Sequence, residues 1–128
     1  MVVIRAASLD ELPRLAEIEL DAFAVWAEAC DVTCEPSASP EFVLLESLGQ
    51  GLLLVAETKG SGHILGFAAG QAVDDSLHII EVDVEPSAQG KGTGRALMLA
   101  MIDMGRKAGL LYSVLTTDRF APFNAPFY

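Results

Sequence analysis

The chain has 128 residues, 52% hydrophobic and 20% charged, which is enough apolar material for one core and fits a single domain over residues 1–128. Eight Lys and Arg stand against eighteen Asp and Glu, a formal net charge of −10 that repels polyphosphate, so nucleic acid is excluded as a partner and a ligand carrying an amine is favoured. No run approaches the roughly 20 apolar residues that span a bilayer, and the N-terminus "MVVIRAASLDELP" lacks a basic start followed by an apolar core, so the expectation is a cytoplasmic protein without a membrane partner.

"VVIRAA" reads as a first strand. Ser8 then caps a helix, and Glu11 completes a Ser-x-x-Glu capping box. Leu12, Leu15, Ile18 and Ala22 recur at helical spacing, with Glu19 and other acidic residues between them, which predicts an amphipathic helix from residue 9 to about 28. Cys30 and Cys34 stand at i,i+4, but a metal site wants three or four ligands and His63 and His78 lie far along the chain. Two reduced thiols and no metal are the expectation. "CDVTCEPSASP" is irregular, with Pro36 and Pro40 limiting helix, and serves either as a plain connector or as a wall of a substrate pocket. "PEFVLLESLGQG" reads as a short helix ended by glycine.

"GLLLVAET" and "HILGFAAGQAV" are apolar runs separated by "KGSG", the pattern of a β-hairpin. "SLHIIEVDVEP" is a third strand of this group, stopped by Pro86, and a helix follows from about Gly92 to Lys107, closed by Gly109 at C′. "LLYSVLTT" is a last strand. The order β-α-α-β-β-β-α-β, with a helix joining two strands that should lie parallel, is an α/β arrangement without repeats or linkers.

Between the third strand and the long helix lies "AQGKGTGRAL", with three glycines in five positions and two cations. It is not a Walker A loop, because the residue five before Gly90 is Glu85 and the residue after Lys91 is Gly92. Nor is it a dinucleotide fingerprint, because Arg95 stands where the third glycine belongs. What remains is Gln-x-x-Gly-x-Gly at Gln89, Gly92 and Gly94, opening a helix. Glycines there let backbone N–H groups and the helix dipole hold a pyrophosphate, with Lys91 and Arg95 adding positive charge. The alternative is a β-to-α turn with a solvated Lys and Arg.

"IIEVDVEPSAQGKGTGRALM" resembles the acetyl-CoA-binding segment of the GNAT superfamily of acyl-CoA-dependent N-acetyltransferases, through Gln89, Gly92 and Gly94 after the strand end Val84-Glu85-Pro86. The resemblance extends to "VVIRAASLDELPRLAEIELDAF" as first strand and helix, to "GLLLVAETKGSGHILGFAAG" as central hairpin, and to "FNAPFY" as the opening of the last helix. It implies a mixed, mostly antiparallel sheet flanked by helices, α/β or by some schemes α+β, and acetyl transfer from acetyl-CoA to an amine. It implies a cofactor site made by the backbone of Val82 and Val84, by Gln89, Gly90, Lys91, Gly92, Thr93, Gly94 and Arg95, and by Asn124. Tyr128 takes the place of the group that protonates the leaving thiolate. Glu81, on the strand beside the thioester, is the candidate general base, and Asp83, two residues on, shares its face by strand alternation and is the second.

The sequence departs from the family in one respect: the family continues after that tyrosine through a helix and at least one further strand, whereas this sequence ends at Tyr128. The expectation is therefore a sheet truncated before its last helix and final strand, leaving an edge that a second copy of the chain can cover as a homodimer. Such a domain either acetylates a small-molecule or peptide amine or binds acyl-CoA without turnover. An unrelated nucleotide-binding module is the third alternative. Trp26 and Phe42 are candidate pocket residues, and no motif names the acceptor.

Overall fold

In the computed structural model of the chain the described residues are 2–29 and 41–115. Five strands form one sheet in the order β1-β2-β3-β4-β5, with β1 Val2–Ala6, β2 Leu53–Thr58, β3 Ile64–Val73, β4 Ser76–Val84 and β5 Tyr112–Leu115. The first four are antiparallel neighbours. β5 lies parallel to β4, because the helix α3, Thr93–Lys107, carries the chain back across the sheet before β5 begins. α1, Leu12–Ala29, and α2, Glu41–Gly49, complete the fold. This is the mixed, mostly antiparallel sheet flanked by helices that the family resemblance implies. Cys30, Cys34, Asn124, Tyr128 and the connector around Pro36 and Pro40 lie outside the described residues, as do the side chains of Trp26 and Phe42.

Local chemistry explains the boundaries. Ser8 is the N-cap of a short 3-10 turn, Leu9–Glu11, that runs into α1, and its backbone N–H is accepted by Glu11 Oε1 at 2.9 Å. α3 ends where Gly109 adopts a left-handed conformation and donates its N–H to the Arg106 carbonyl. The hairpin between β3 and β4 turns on Asp74 and Asp75, with Asp74 at a positive φ of 54°, a conformation in which aspartate is one of the tolerated residues.

Strand alternation splits the core in two. Leu54, Ala56 and Ala68 point to the face covered by α3, with Leu97, Met98 and Met101, whereas Leu53, Val55, Phe67 and Ala69 point to the face covered by α1 and α2, with Leu15, Ile18 and Leu44. Phe67, Leu15 and Leu97 are fully buried, and each such side chain contributes roughly 1.5–3 kcal/mol relative to exposure.

Two register shifts interrupt the alternation. One lies in β3 at Leu65, between the pairs Ala56↔Gly66 and Glu57↔Ile64. The other lies in β4 at Ile80, between Ala69↔Glu81 and Gly70↔Ile79. Leu77 and Ile79 face α3, Ile80 packs on the opposite side, and Val82 and Val84 face α3 again. The extra residue thus turns Glu81 and Asp83 to the face of α1. Unbroken alternation from Leu77 and Ile79 would have pushed both carboxylates into the apolar layer under α3.

Candidate functional site

The C-terminal half of β4 brings the candidate groups together. Glu81 and Asp83 are both buried, at 7% exposure, and α1 delivers a third carboxylate, Glu19, at 1%. One oxygen from each of the three lies within 4.8 Å of the others. Glu81 and Asp83 share a face, as alternation predicts. Glu19 was not singled out as a functional residue by its sequence, although a signal was present: it stands four residues after Leu15 and seven after Leu12, a position on the buried stripe that an ordinary amphipathic helix gives to an apolar side chain.

The backbone of the same segment has its own geometry. The Glu85 N–H is donated to the Leu65 carbonyl of β3 at 2.8 Å. In an antiparallel ladder alternate N–H groups point to opposite edges, so those of Val82 and Val84 point away from β3, towards the side of β5. There the pairing with β5 runs from Ser76↔Tyr112 to Ile79↔Leu115, and no described residue pairs with Glu81–Val84 on that side. β3 approaches this segment closely at Gly66, where a Cβ would stand 2.7 Å from the Asp83 carbonyl oxygen.

Beyond Val84 the chain makes a 3-10 turn, Pro86–Ala88, and then the glycine turn. Gln89 Nε2 donates to the Val84 carbonyl at 3.0 Å, so this side chain ties the turn to the end of the strand. Gly90 and Gly92 have φ of 79° and 83°, and a Cβ on either would meet nothing within 4 Å. Glycine is therefore required there by backbone conformation rather than by lack of room. Gly92 is the N-cap of α3, and its carbonyl accepts the Ala96 N–H at 2.9 Å. The N–H groups of the residues between them, Thr93, Gly94 and Arg95, are the first-turn donors that a helix leaves without intrahelical partners. Thr93 and Gly94 are buried, Lys91 and Arg95 are exposed, and an open groove of about 650 Å3 runs past Glu85, Ser87, Lys91, Gly92 and Thr93. The turn has the positive end of a helix dipole, N–H groups without intrahelical partners and two cations on its rim, which fits an anionic group such as a pyrophosphate.

Glu85 sits at the junction of strand and turn in a network of its own. Its Oε2 lies 2.6 Å from Arg14 Nη2 and 3.3 Å from His63 Nε2, and its Oε1 accepts the Ser87 hydroxyl at 2.9 Å. Burial pushes this carboxyl up, but the hydrogen bonds from Ser87, Arg14 and His63 outweigh it, and its pKa lies below the ordinary carboxylate value.

A mixed sheet whose crossover helix opens on a glycine turn is the frame that the resemblance to acyl-CoA-dependent transferases implies. The chain belongs to the acetyltransferase (GNAT) family, which it matches over residues 12–128. Its fold is similar to that of the PaiA N-acetyltransferase of Thermoplasma acidophilum in complex with coenzyme A, with 18% identity and a TM-score of 0.75 over 99% of this chain and 84% of that one. It is also similar to the ribosomal-protein-S18-alanine N-acetyltransferase of Escherichia coli, with 25% identity and a TM-score of 0.73 over 98% of this chain and 71% of that one. A third similar structure is N-acetylglutamate synthase of Neisseria gonorrhoeae complexed with coenzyme A and N-acetyl-glutamate, with 23% identity and a TM-score of 0.73 over 98% of this chain but 27% of that one. No helix among the described residues is long and apolar enough to cross a membrane.

Proposed function

We propose that the chain is an N-acetyltransferase that moves an acetyl group from acetyl-CoA to a primary amine by direct attack. The observation that carries the reading is the register shift at Ile80, which sets the buried carboxylate of Glu81 beside the strand edge where the N–H groups of Val82 and Val84 point outward, one turn before the glycine loop. In this reading the N–H groups of Gly92, Thr93 and Gly94, with Lys91 and Arg95, hold the pyrophosphate of the cosubstrate, and Gln89 keeps their turn against the strand.

The attacking amine must lose a proton. Glu81 accepts it, directly or through water, with Asp83 as the alternative acceptor and Glu19 behind both. As the nitrogen–carbon bond forms, the carbonyl oxygen gains charge, and the Val82 and Val84 N–H groups are the donors assigned to it and to the pantetheine arm. The carbon–sulfur bond then breaks, and the thiolate takes a proton from Tyr128, while Asn124 contacts the pantetheine arm. These last two assignments rest on the family resemblance alone. The net charge of −10 favours an acceptor that arrives as a cation, whether a small molecule or a peptide amine, in a cytoplasmic setting.

Titration calorimetry of the chain with acetyl-CoA, with ADP as control, tests the binding half of this reading. Heat with acetyl-CoA only is expected, and thiol release that depends on added amine across a panel of amines tests the chemical half. Binding without amine-dependent release would instead make the chain an acyl-CoA-binding domain. Equal affinity for ADP would make it a nucleotide module.

A further inference from the structure

We infer that Arg14, on the far side of the sheet from α3, is a positioning residue for the glycine turn: its guanidinium sets the affinity for the cosubstrate by holding Glu85. The inference rests on the coenzyme A reading above. Arg14 is the third residue of α1, near a helix N-terminus, where the helix dipole does not favour a cation. Its contacts lie elsewhere in the fold. Nη2 donates to the Ile64 carbonyl at 2.9 Å, next to the register shift of β3, and to Glu85 Oε2 at 2.6 Å, a partner 71 residues away in sequence. Nη1 is held by Glu17. The ion pair with Glu85 is three-quarters shielded from water on the Arg14 side and more so on the Glu85 side, so it is not one of the fully solvated pairs that contribute nothing measurable.

Glu85 is the point from which the turn is hung. Its N–H is fixed to β3, its carbonyl accepts the Ala88 N–H at 2.9 Å, and its side chain takes up the Ser87 hydroxyl. After Gln89 the path to α3 runs through Gly90 and Gly92, where a Cβ would meet nothing within 4 Å, so no side-chain packing of their own holds them. The placing of the anion-binding N–H groups depends on the packing of α3 behind them and on the anchors before them, and among the latter Arg14 reaches from α1. Without the guanidinium, the partly buried Glu85 carboxylate is drawn towards water and the turn samples other positions. If the competent arrangement is then present about a tenth of the time, the apparent Kd for the cosubstrate rises about tenfold. Arg14 touches no reacting atom, so KM for acetyl-CoA rises while kcat stays near its original value.

The test is calorimetric titration of the unaltered chain, Arg14→Ala, Arg14→Lys, Glu85→Gln and the Arg14→Ala/Glu85→Gln double variant with acetyl-CoA, with Tm measured for each. The expected result is a Kd raised about tenfold in Arg14→Ala and in Glu85→Gln, no further loss in the double variant, and partial rescue in Arg14→Lys, which keeps the charge. A lowered Tm with Kd within twofold of the original in Arg14→Ala means a purely structural tie and overturns the inference. If Arg14→Ala does not fold, unchanged Kd in both Arg14→Lys and Glu85→Gln overturns it equally. Failure of the unaltered chain to bind acetyl-CoA overturns the coenzyme A reading and this inference with it, whereas unchanged affinity in the variants overturns this inference alone.

Discussion

Two groups of acidic side chains, less than one helix length apart along the sequence of α1 and its entry, are built on opposite principles. At the outer edge, Arg5 of β1 forks onto Glu11, with Nη1–Oε1 2.9 Å and Nη2–Oε2 2.6 Å, and reaches Glu57 of β2 through Nε at 3.1 Å. Hydrogen bonds from Arg5, which outweigh burial, bring the Glu11 pKa from the ordinary 4.5 down to about 2, and the two carboxylates in turn raise that of Arg5. This group pins the first strand, the entry of α1 and β2 together. At the inner group Glu19, Glu81 and Asp83 are carried by a helix and a bulged strand, all nine-tenths buried or more, with their oxygens gathered within 4.8 Å. In the reading proposed above the first group serves stability, while the second, beside a stretch of β4 that no described residue pairs with on the side of β5, serves proton transfer.

Changing one member of each group breaks or sharpens this contrast. Glu81→Gln keeps the shape of the side chain and removes the proposed base, so amine-dependent thiol release should fall about 10²- to 10⁴-fold with Tm and acetyl-CoA affinity little changed. Steady-state kinetics checks this, and a full rate in Glu81→Gln with a loss in Asp83→Asn would move the base by two residues. Gly92→Val meets no neighbour but forces a β-branched residue to φ near 83°, a strain of about 1–3 kcal/mol, and the turn should escape by losing its anion-binding form. Acetyl-CoA affinity is expected to fall at least about tenfold by calorimetry, a drop of at least about 1.4 kcal/mol.

Gly66→Ala attacks the same site from the neighbouring strand. Its Cβ would stand 2.7 Å from the Asp83 carbonyl oxygen, backbone against backbone, so β3 and β4 must part at a cost of about 1–3 kcal/mol, visible as a lowered Tm. The smallest effect belongs to the outer group. Glu11→Gln should cost about 1 kcal/mol at neutral pH, since the pair is only partly shielded, and should leave the catalytic rate unchanged. Because the folded pKa of Glu11 lies below the unfolded one, its stabilisation is complete above pH 4.5 and is lost as pH falls towards 2. The difference in urea midpoint between the original chain and Glu11→Gln should therefore close across that window, and a difference that persists at its lower end would show that the Arg5 pair is not its source.

Much of the site was legible from local pattern. The capping box at Ser8 and Glu11, the hairpin around "KGSG", the strand stopped at Pro86 and the helix closed by Gly109 all stand within a residue or so of where spacing put them, because each is decided by contacts among near neighbours in sequence. The glycine turn was readable for the same reason: a positive φ at Gly90 and Gly92 is a property of a few residues. Glu19 and Arg14 were not. Glu19 reads as one more acidic residue on an acidic helix until β4 is laid against α1, and the value of Arg14 depends on a partner 71 residues further along the chain.

The sequence by itself determined the elements, their order, the parallel return through α3 and the glycine turn that opens it, since periodicity, caps and glycine conformation act over a few residues. Only the tertiary structure decided which face of β4 carries its carboxylates. The shift at Ile80 is realised in the pairing with β3, and a single added residue in a strand sends every later side chain to the other side of the sheet. That one residue separates three buried carboxylates gathered on the face of α1 from two charges trapped under α3.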